Sequence, residues 1–189
     1  EAARRIHGAD VEVVGVHAKT QASTQGLAQK HGIQAFDDLA ALLESIDVLH
    51  ICIPPALHEA VAVQALARGV FPIVEKPLTG FFGDGAENFD GRTASMTQAR
   101  TGALDSIKRM LAAEAASTAR ILYAENWVYA PTIQKEREIL EKTKGHILWM
   151  HGEEAHSGSH APSYGRWNLA GGGAMIGKGC HPLTAALYL

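Results

Sequence analysis

The chain has 189 residues, of which 47% are hydrophobic and 20% are charged, and 17 basic against 20 acidic side chains give a formal net charge of -3. This length accommodates one well-buried domain, or one domain and part of a second. The charge balance argues against nucleic-acid binding, and no apolar run approaches the roughly 20 residues that a membrane-spanning helix needs. Cys52 and Cys180 have no CxxC spacing, which is typical of reduced thiols in a cytoplasmic protein.

The first half of the chain alternates predicted strands with predicted helices. Apolar, β-branched runs predict strands over 11–16, over 46–53, and from Phe71 to the charged pair Glu75-Lys76. Helices are predicted over 21–31 with Gly32 as the C-cap, from Asp37 or Asp38 to Leu43, and over 56–68 before Gly69. Strands that alternate with helices indicate βαβ units and therefore a parallel α/β sheet.

The second half predicts a looser succession of elements. Helices are predicted over 103–117, 131–142 and 174–189, and strands over 119–123 and 146–150. Polar, glycine-rich sequence predicts loops over 81–101 and 151–166, and the second loop leads to Gly171-Gly172-Gly173.

Lys76 is the first candidate functional residue, because Pro77 follows it. A residue before proline is disfavoured in the helical region, so Lys76 is expected to be extended at the carboxyl end of its strand. Ligands of open α/β sheets bind at that end of the strands. The alternative is a solvated lysine in a loop.

Three motifs in order identify a family resemblance. The segment 51–58 is similar to TPNxxH, Glu75-Lys76-Pro77 is a specific signature, and Gly171-Gly172-Gly173 with Gly179-Cys180-His181 is similar to GGGxxxDxGxH. Together they resemble the Gfo/Idh/MocA family of NAD(P)-dependent oxidoreductases. The resemblance implies a Rossmann domain over 1–124, without its first strand and glycine-rich loop, and the beginning of an α+β substrate and oligomerisation domain over 125–189. Residues 1–8 are typical of the last turns of a helix, so we expect the sequence to be a fragment.

The resemblance implies a nicotinamide cofactor. Ala18 stands where NAD-preferring members have Asp, and Lys19 and Thr20 offer a cation and a hydroxyl to a 2′-phosphate, so NADP is favoured and NAD remains possible. The other implied cofactor-binding residues belong to the two strand-end motifs: Ile53, Pro54, Pro55, His58, Glu75 and Lys76.

The implied reaction moves a hydride between nicotinamide and the hydroxyl carbon of a sugar, cyclitol or related compound. By the resemblance, His181 transfers the proton, Lys76 stabilises the alkoxide, and the Lys76-Pro77 peptide is cis. The alternative function is a non-catalytic nucleotide- or sugar-binding relative, acting as a sensor or in assembly, or an inactive fragment. The full-length protein is expected to be a homo-oligomer.

The sequence departs from the family motif at Gly177, where the family has an aspartate one helical turn before the histidine. Glu125 is the first candidate to replace this carboxylate, followed by Glu153 or Glu154. Lys178 is assigned either to an anionic substrate group or to solvent.

Further residues are candidates for the substrate pocket. They are Asn126, Arg166 and Trp167, with a core position as the alternative for Trp167. Several residues have side chains that ligate zinc, namely His151, Glu153, His156, His160 and His181, but their spacing matches no established ligand pattern. No metal site is therefore expected among them.

Overall fold

The computed structural model describes residues 8–83, 85–155, 157–158 and 161–189. The predicted helix end at residues 1–7 lies outside this part, as do His156 and His160. No helix within the described residues is long and apolar enough to cross a membrane.

Five parallel strands form two small sheets in the described part of the chain. They are β1 (Gly15–Val16), β2 (Gln34–Ala35), β3 (Val48–Ile51), β4 (Phe71–Glu75) and β5 (Leu122–Ala124). β1 pairs with β2, and β4 lies between β3 and β5. In the Rossmann fold, six strands numbered along the chain lie side by side in the order 3-2-1-4-5-6. Here β1 and β2 correspond to strands 2 and 3 of that order, and β3, β4 and β5 correspond to strands 4, 5 and 6. No described strand corresponds to strand 1, which in that order lies between strands 2 and 4.

Eight α-helices connect and follow the strands. They are α1 (Gln21–His31), α2 (Leu39–Leu43), α3 (His58–Leu66), α4 (Met96–Ala115), α5 (Pro131–Thr143), α6 (Trp167–Ala170), α7 (Ala174–Gly177) and α8 (Cys180–Tyr188) among the described residues. Short 3₁₀ helices span Pro55–Leu57, Gly91–Thr93, Trp127–Tyr129 and Pro162–Gly165. The alternation of strands and helices in the first half confirms the predicted α/β class.

The ends of the early helices follow the predicted capping chemistry. The Asp38 carboxylate accepts a hydrogen bond from the Ala41 amide at the start of α2. Gly32 ends α1 in the left-handed conformation, with φ of 63°. These boundaries are readable from sequence because each depends on a contact only a few residues away.

The hydrophobic core lies between one face of the three-stranded sheet and the helices α2, α3 and α4. Its buried members are Phe36, Leu42, Leu43, Leu49, Ile51, Ala62, Ala65, Val70, Val74 and Met110. The opposite face carries Val48, Phe71 and Leu122, which are exposed. The alternation of buried and exposed residues along β3 and β4 follows from the two-residue period of a strand.

Three predicted elements are wrong in whole or in part. Residues 146–150 form no strand, because a strand needs a hydrogen-bonding partner and the described residues supply none; Leu148 is 98% exposed. Helix α4 begins at Met96 instead of 103, where the Ser95 hydroxyl caps the helix by accepting a hydrogen bond from the Gln98 amide. The helix predicted over 174–189 is divided into α7 and α8 at Lys178 and Gly179, where glycine lowers helix stability.

Candidate active site

The glycine turn is held against the loop that follows β4. The Phe81 amide donates a hydrogen bond to the Gly171 carbonyl oxygen at 3.1 Å. A Cβ atom on Gly80 would lie 2.7 Å from that same oxygen, and Gly171 has φ of 75°, so both positions require glycine. This close backbone approach brings the segment after Gly171 to the end of β4, where the Lys76-Pro77 peptide is cis as expected.

The His58 side chain connects the motif after β3 with the Glu75-Lys76-Pro77 motif after β4. Its ring is buried, with Nδ1 3.0 Å from the Pro77 carbonyl oxygen and Nε2 2.9 Å from the Ile53 carbonyl oxygen. Burial lowers the pKa of His58, although the facing carbonyl groups act in the opposite direction. Because both nitrogens face the backbone, His58 positions the ends of β3 and β4 and has no ring nitrogen left for a cofactor.

Lys76 reaches the residue at which the sequence departs from the family motif. Its ammonium donates a hydrogen bond to the Gly177 carbonyl oxygen at 2.8 Å. No carboxylate forms an ion pair with Lys76 among the described residues. The backbone carbonyl of residue 177 thus contacts the lysine where the family's side chain is an aspartate.

Glu125 and His181 form a buried pair next to this lysine segment. Glu125 Oε1 lies 2.6 Å from His181 Nδ1 and accepts a second hydrogen bond from the Trp127 amide at 2.9 Å. The Trp127 ring stacks on the imidazole with centroids 5.6 Å apart and planes 12° from parallel. Glu125, predicted as the replacement carboxylate, therefore contacts the histidine and leaves the lysine to the Gly177 carbonyl. These contacts orient the imidazole and direct Nε2 away from Glu125.

A second carboxylate lies on the other side of the imidazole. Glu154 Oε2 is 4.0 Å from His181 Nε2, and it is buried without a hydrogen-bond partner among the described residues. Glu125 Oε2 is also buried and unpartnered within the described residues. Glu153 is exposed and its carboxylate lies 3.8 Å from His151 Nε2. Of the two neighbouring glutamates, only Glu154 thus faces His181.

The Cys180 thiol and the Tyr123 hydroxyl have raised pKa values, which favours their protonated forms. Burial raises the pKa of the Cys180 thiol, Glu125 and Glu154 raise it further, and Lys76 acts in the opposite direction. Burial also raises the pKa of Tyr123 to about 12. The sequence analysis assigned no role to Trp127, Cys180 or Tyr123. Trp127 and Cys180 could have been found from the sequence, because they lie next to Glu125 and His181 in the chain.

The predicted cofactor residues lie at the carboxyl ends of the parallel strands. Ala18, Lys19 and Thr20 follow β1, and Thr20 caps α1 by accepting a hydrogen bond from the Ser23 amide. Lys19 is exposed and forms no hydrogen bond or ion pair with any described residue. These positions fit the adenosine ribose end of a dinucleotide.

The remaining cofactor candidates surround the ends of β3 and β4. Residues 53–55 follow β3, and Glu75 ends β4 with its carboxylate 3.3 Å from His50 Nε2. Together with Lys76 they fit the nicotinamide side of a dinucleotide. A glycine-rich cradle for the pyrophosphate is not among the described residues.

The outer substrate candidates have partners of their own. Arg166 Nη2 donates to Glu87 Oε1 at 3.1 Å. The indole of Trp167 is half-buried and packs against Gly91. Asn126 is exposed, whereas Lys178 is half-buried next to Gly177. The structure thus ties Arg166 and Trp167 to the loop before α4.

Comparisons with known proteins find one matching family model. The family described as "Oxidoreductase family, NAD-binding Rossmann fold" (Gfo/Idh/MocA) matches residues 2–90. This match covers slightly less than half of the chain. No curated protein sequence matches the chain.

Solved structures of dehydrogenases have a similar fold. The WlbA dehydrogenase from Bordetella pertussis, in complex with NADH and UDP-GlcNAcA, is 20% identical over 93% of this chain and 46% of its own, with a TM-score of 0.65. An NAD-binding protein from Listeria innocua is 18% identical over 98% and 50%, with a TM-score of 0.68. Levoglucosan dehydrogenase, in complex with NADH and levoglucosan, is 22% identical over 90% and 42%, with a TM-score of 0.65. The chain thus spans half or less of each, and at these identities the likeness shows the fold.

Proposed function

We propose that this chain is part of an NAD(P)-dependent oxidoreductase that moves a hydride between nicotinamide and the hydroxyl carbon of a sugar, cyclitol or related compound. The observation that carries the proposal is the buried Glu125–His181 pair beside Lys76, at the carboxyl edge of a parallel sheet in a chain with an oxidoreductase-family Rossmann domain. Solved relatives in complex with NADH and a sugar compound support the same substrate class.

Each residue has a role that follows from its contacts. A bound nicotinamide supplies the hydride acceptor or donor. His181 takes the hydroxyl proton at Nε2, because its Nδ1 is held by Glu125. Glu125 stabilises the imidazolium that forms, in place of the aspartate that the family has at position 177. Lys76 stabilises the negative charge that develops on the substrate oxygen.

NADP is the proposed cofactor, with NAD as the alternative. An acidic residue at the end of the second Rossmann strand binds the ribose hydroxyls of NAD, and Ala18 has no such group. The exposed ammonium of Lys19 and the hydroxyl of Thr20 are available to a 2′-phosphate.

The proposal also covers the substrate contacts, the domain boundaries and the oligomeric state. Asn126, Arg166, Trp167 and Lys178 are proposed to contact substrate. The proposed division places the dinucleotide domain at 1–124 and the substrate domain from 125 onwards. The full-length protein is proposed to act as a homo-oligomer in the cytoplasm.

The test uses the full-length protein with NADP or NAD and a panel of sugars and polyols, following the absorbance of reduced nicotinamide. Lys76→Ala should abolish turnover because the alkoxide loses its cation. Lys108→Ala is the matched control, since Lys108 is an exposed lysine paired with Asp105 on α4. Equal turnover in both variants would remove Lys76 from the mechanism.

Gly177→Asp separates this proposal from the non-catalytic alternative. Among the described residues, a Cβ atom at position 177 would approach only Tyr164 Cε1, at 3.7 Å, so a side chain fits there. If Glu125 already acts as the carboxylate, the variant should gain little turnover over wild type. A large gain from an inactive wild type would indicate a site that has lost its acid.

A further inference from the structure

The imidazole of His181 has one nitrogen that no described residue occupies. Glu125 Oε1 lies 2.6 Å from Nδ1, and the Trp127 ring stacks on the plane of the imidazole. Nε2 forms no hydrogen bond with a described residue, and Glu154 Oε2 lies 4.0 Å from it. This distance is too long for a hydrogen bond, so Nε2 and the Glu154 carboxylate are both available to a ligand that lies between them.

The Glu154 carboxylate needs a hydrogen-bond donor that the described residues do not supply. Its Oε2 is buried and has no partner among them, although 22% of the side chain is exposed. Glu125, whose side chain is only 2% exposed, also has an unpartnered oxygen within the described residues. Buried carboxylate oxygens are normally hydrogen-bonded or paired with a cation, so these two oxygens point to a ligand that donates hydrogen bonds.

The charges at this site favour a cationic ligand over a neutral one. Burial raises the pKa of the Cys180 thiol, Glu125 and Glu154 raise it further, and Lys76 lowers it, so two carboxylates and one ammonium act on the site. Neither Lys76 nor Lys178 forms an ion pair with a described carboxylate. A hydroxyl group would satisfy the Glu154 oxygen and leave its charge uncompensated, whereas an ammonium group would do both.

We propose that the site takes an amino sugar or aminocyclitol, whose ammonium group is on the carbon next to the reacting carbinol and pairs with Glu154. The reacting hydroxyl donates to His181 Nε2, and the neighbouring ammonium donates to Glu154 Oε2. Two hydrogen bonds of about 2.8 Å from adjacent substituents span the 4.0 Å between these acceptors. The choice of reacting hydroxyl rests on the proposed function, whereas the pairing with Glu154 is testable by binding alone.

Glu153 provides a matched control, because it is the adjacent glutamate and its side chain is 78% exposed. Glu153→Gln changes the net charge of the protein by the same amount as Glu154→Gln. A general electrostatic attraction would therefore respond equally to both variants. A specific pairing would respond only to Glu154→Gln.

The experiment measures ligand binding to the full-length protein by isothermal titration calorimetry in the presence of NADP or NAD. The panel consists of hexoses and inositols, their derivatives with one hydroxyl replaced by an amine, and the N-acetylated forms of those amines. At least one amine should bind about 10-fold more tightly than its hydroxyl and N-acetyl counterparts, because only the amine has a positive charge for Glu154. Glu154→Gln should abolish this preference, whereas Glu153→Gln should retain it.

A panel in which no amine binds more tightly than its neutral counterparts would overturn the proposed pairing. An equal loss of hydroxyl and amine binding in Glu154→Gln would also overturn it, because the carboxylate would then act on His181 instead of on the charge of the ligand. Thermal denaturation of both variants controls for folding, and the N-acetyl comparison needs no variant. A binding preference without turnover would contradict the proposed function alone, and turnover of neutral sugars without the preference would contradict the pairing alone.

Discussion

Two groups of a histidine, a cysteine and a glutamate lie near the carboxyl ends of the strands, and they differ chiefly in burial. Glu125, Cys180 and His181 are closed off from solvent by the Trp127 ring and by the segment that follows Gly171. In the other group, the side chains of His50 and Glu75 are 53% and 37% exposed. Water solvates the exposed charges, whereas each buried polar group depends on its few protein contacts. The residue types alone therefore do not distinguish a candidate active site from a solvated surface cluster.

The largest expected difference is catalytic. His181→Ala should lower kcat by about 10²–10⁴-fold, because the substrate proton loses its acceptor. His50→Ala should leave kcat unchanged, since this histidine is exposed on the sheet face. The measurement is steady-state turnover of the full-length protein with its best cofactor and polyol. Similar losses in both variants would break the distinction between the clusters.

Glu125→Gln should separate activity from stability. We expect kcat to fall by about 10–100-fold, because the carboxylate no longer orients and stabilises the imidazole. The free energy of unfolding should change little, since the oxygen of glutamine can still accept the hydrogen bonds from His181 Nδ1 and the Trp127 amide. Urea denaturation and turnover assays check both values.

Glu153→Gln is the matched control for that experiment, because Glu153 is an exposed neighbour of Glu154. It should change neither turnover nor stability. A strong loss of stability in Glu125→Gln would mean that the ionised carboxylate contributes more through its hydrogen bonds than its burial costs.

The burial of His58 should make the stability of the fold depend on pH. Folding lowers the pKa of His58, so the unfolded chain takes up a proton more readily. The stability that neutral His58 contributes should be complete above the unfolded pKa of about 6.5, and it should be lost as the pH falls below that value. His58→Gln should reduce this slope in urea denaturation between about pH 5 and 8. Parallel slopes in wild type and His58→Gln would contradict the prediction.

The smallest effect is expected from an exposed ion pair. Arg109 Nε and Nη2 donate to the two oxygens of Glu59 at 2.5 and 2.9 Å, which joins α4 to α3. The side chains are 60% and 28% exposed, so solvent should screen the pair and their coupling should be weak. A double-mutant cycle of Glu59→Gln and Arg109→Gln measures this coupling at low and high salt. A larger, salt-independent value would show that exposure does not weaken the pair.

The accuracy of the sequence predictions depended on the distance between interacting residues. The end of α1 at Gly32 and the cap of α2 at Asp38 were predictable, because each depends on residues within four positions. The strand expected over 146–150 failed, since strand formation requires a distant partner. The start of α4 could have been found from Ser95 and Gln98, a capping signal present in the sequence.

The sequence by itself determined the alternation of strands and helices and the motifs at Lys76 and His181, because periodicity, caps and glycine turns are local properties of the chain. The tertiary structure alone decided the contacts of these two residues. Glu125 lies 56 positions before His181, and Lys76 lies 101 positions before Gly177, so each pair meets only through the packing of distant segments. These packing contacts include the glycine turn against Gly80 and the Trp127 ring against His181. Burial, which is a property of the folded chain, separates Cys180 from Cys52 and Glu125 from Glu75.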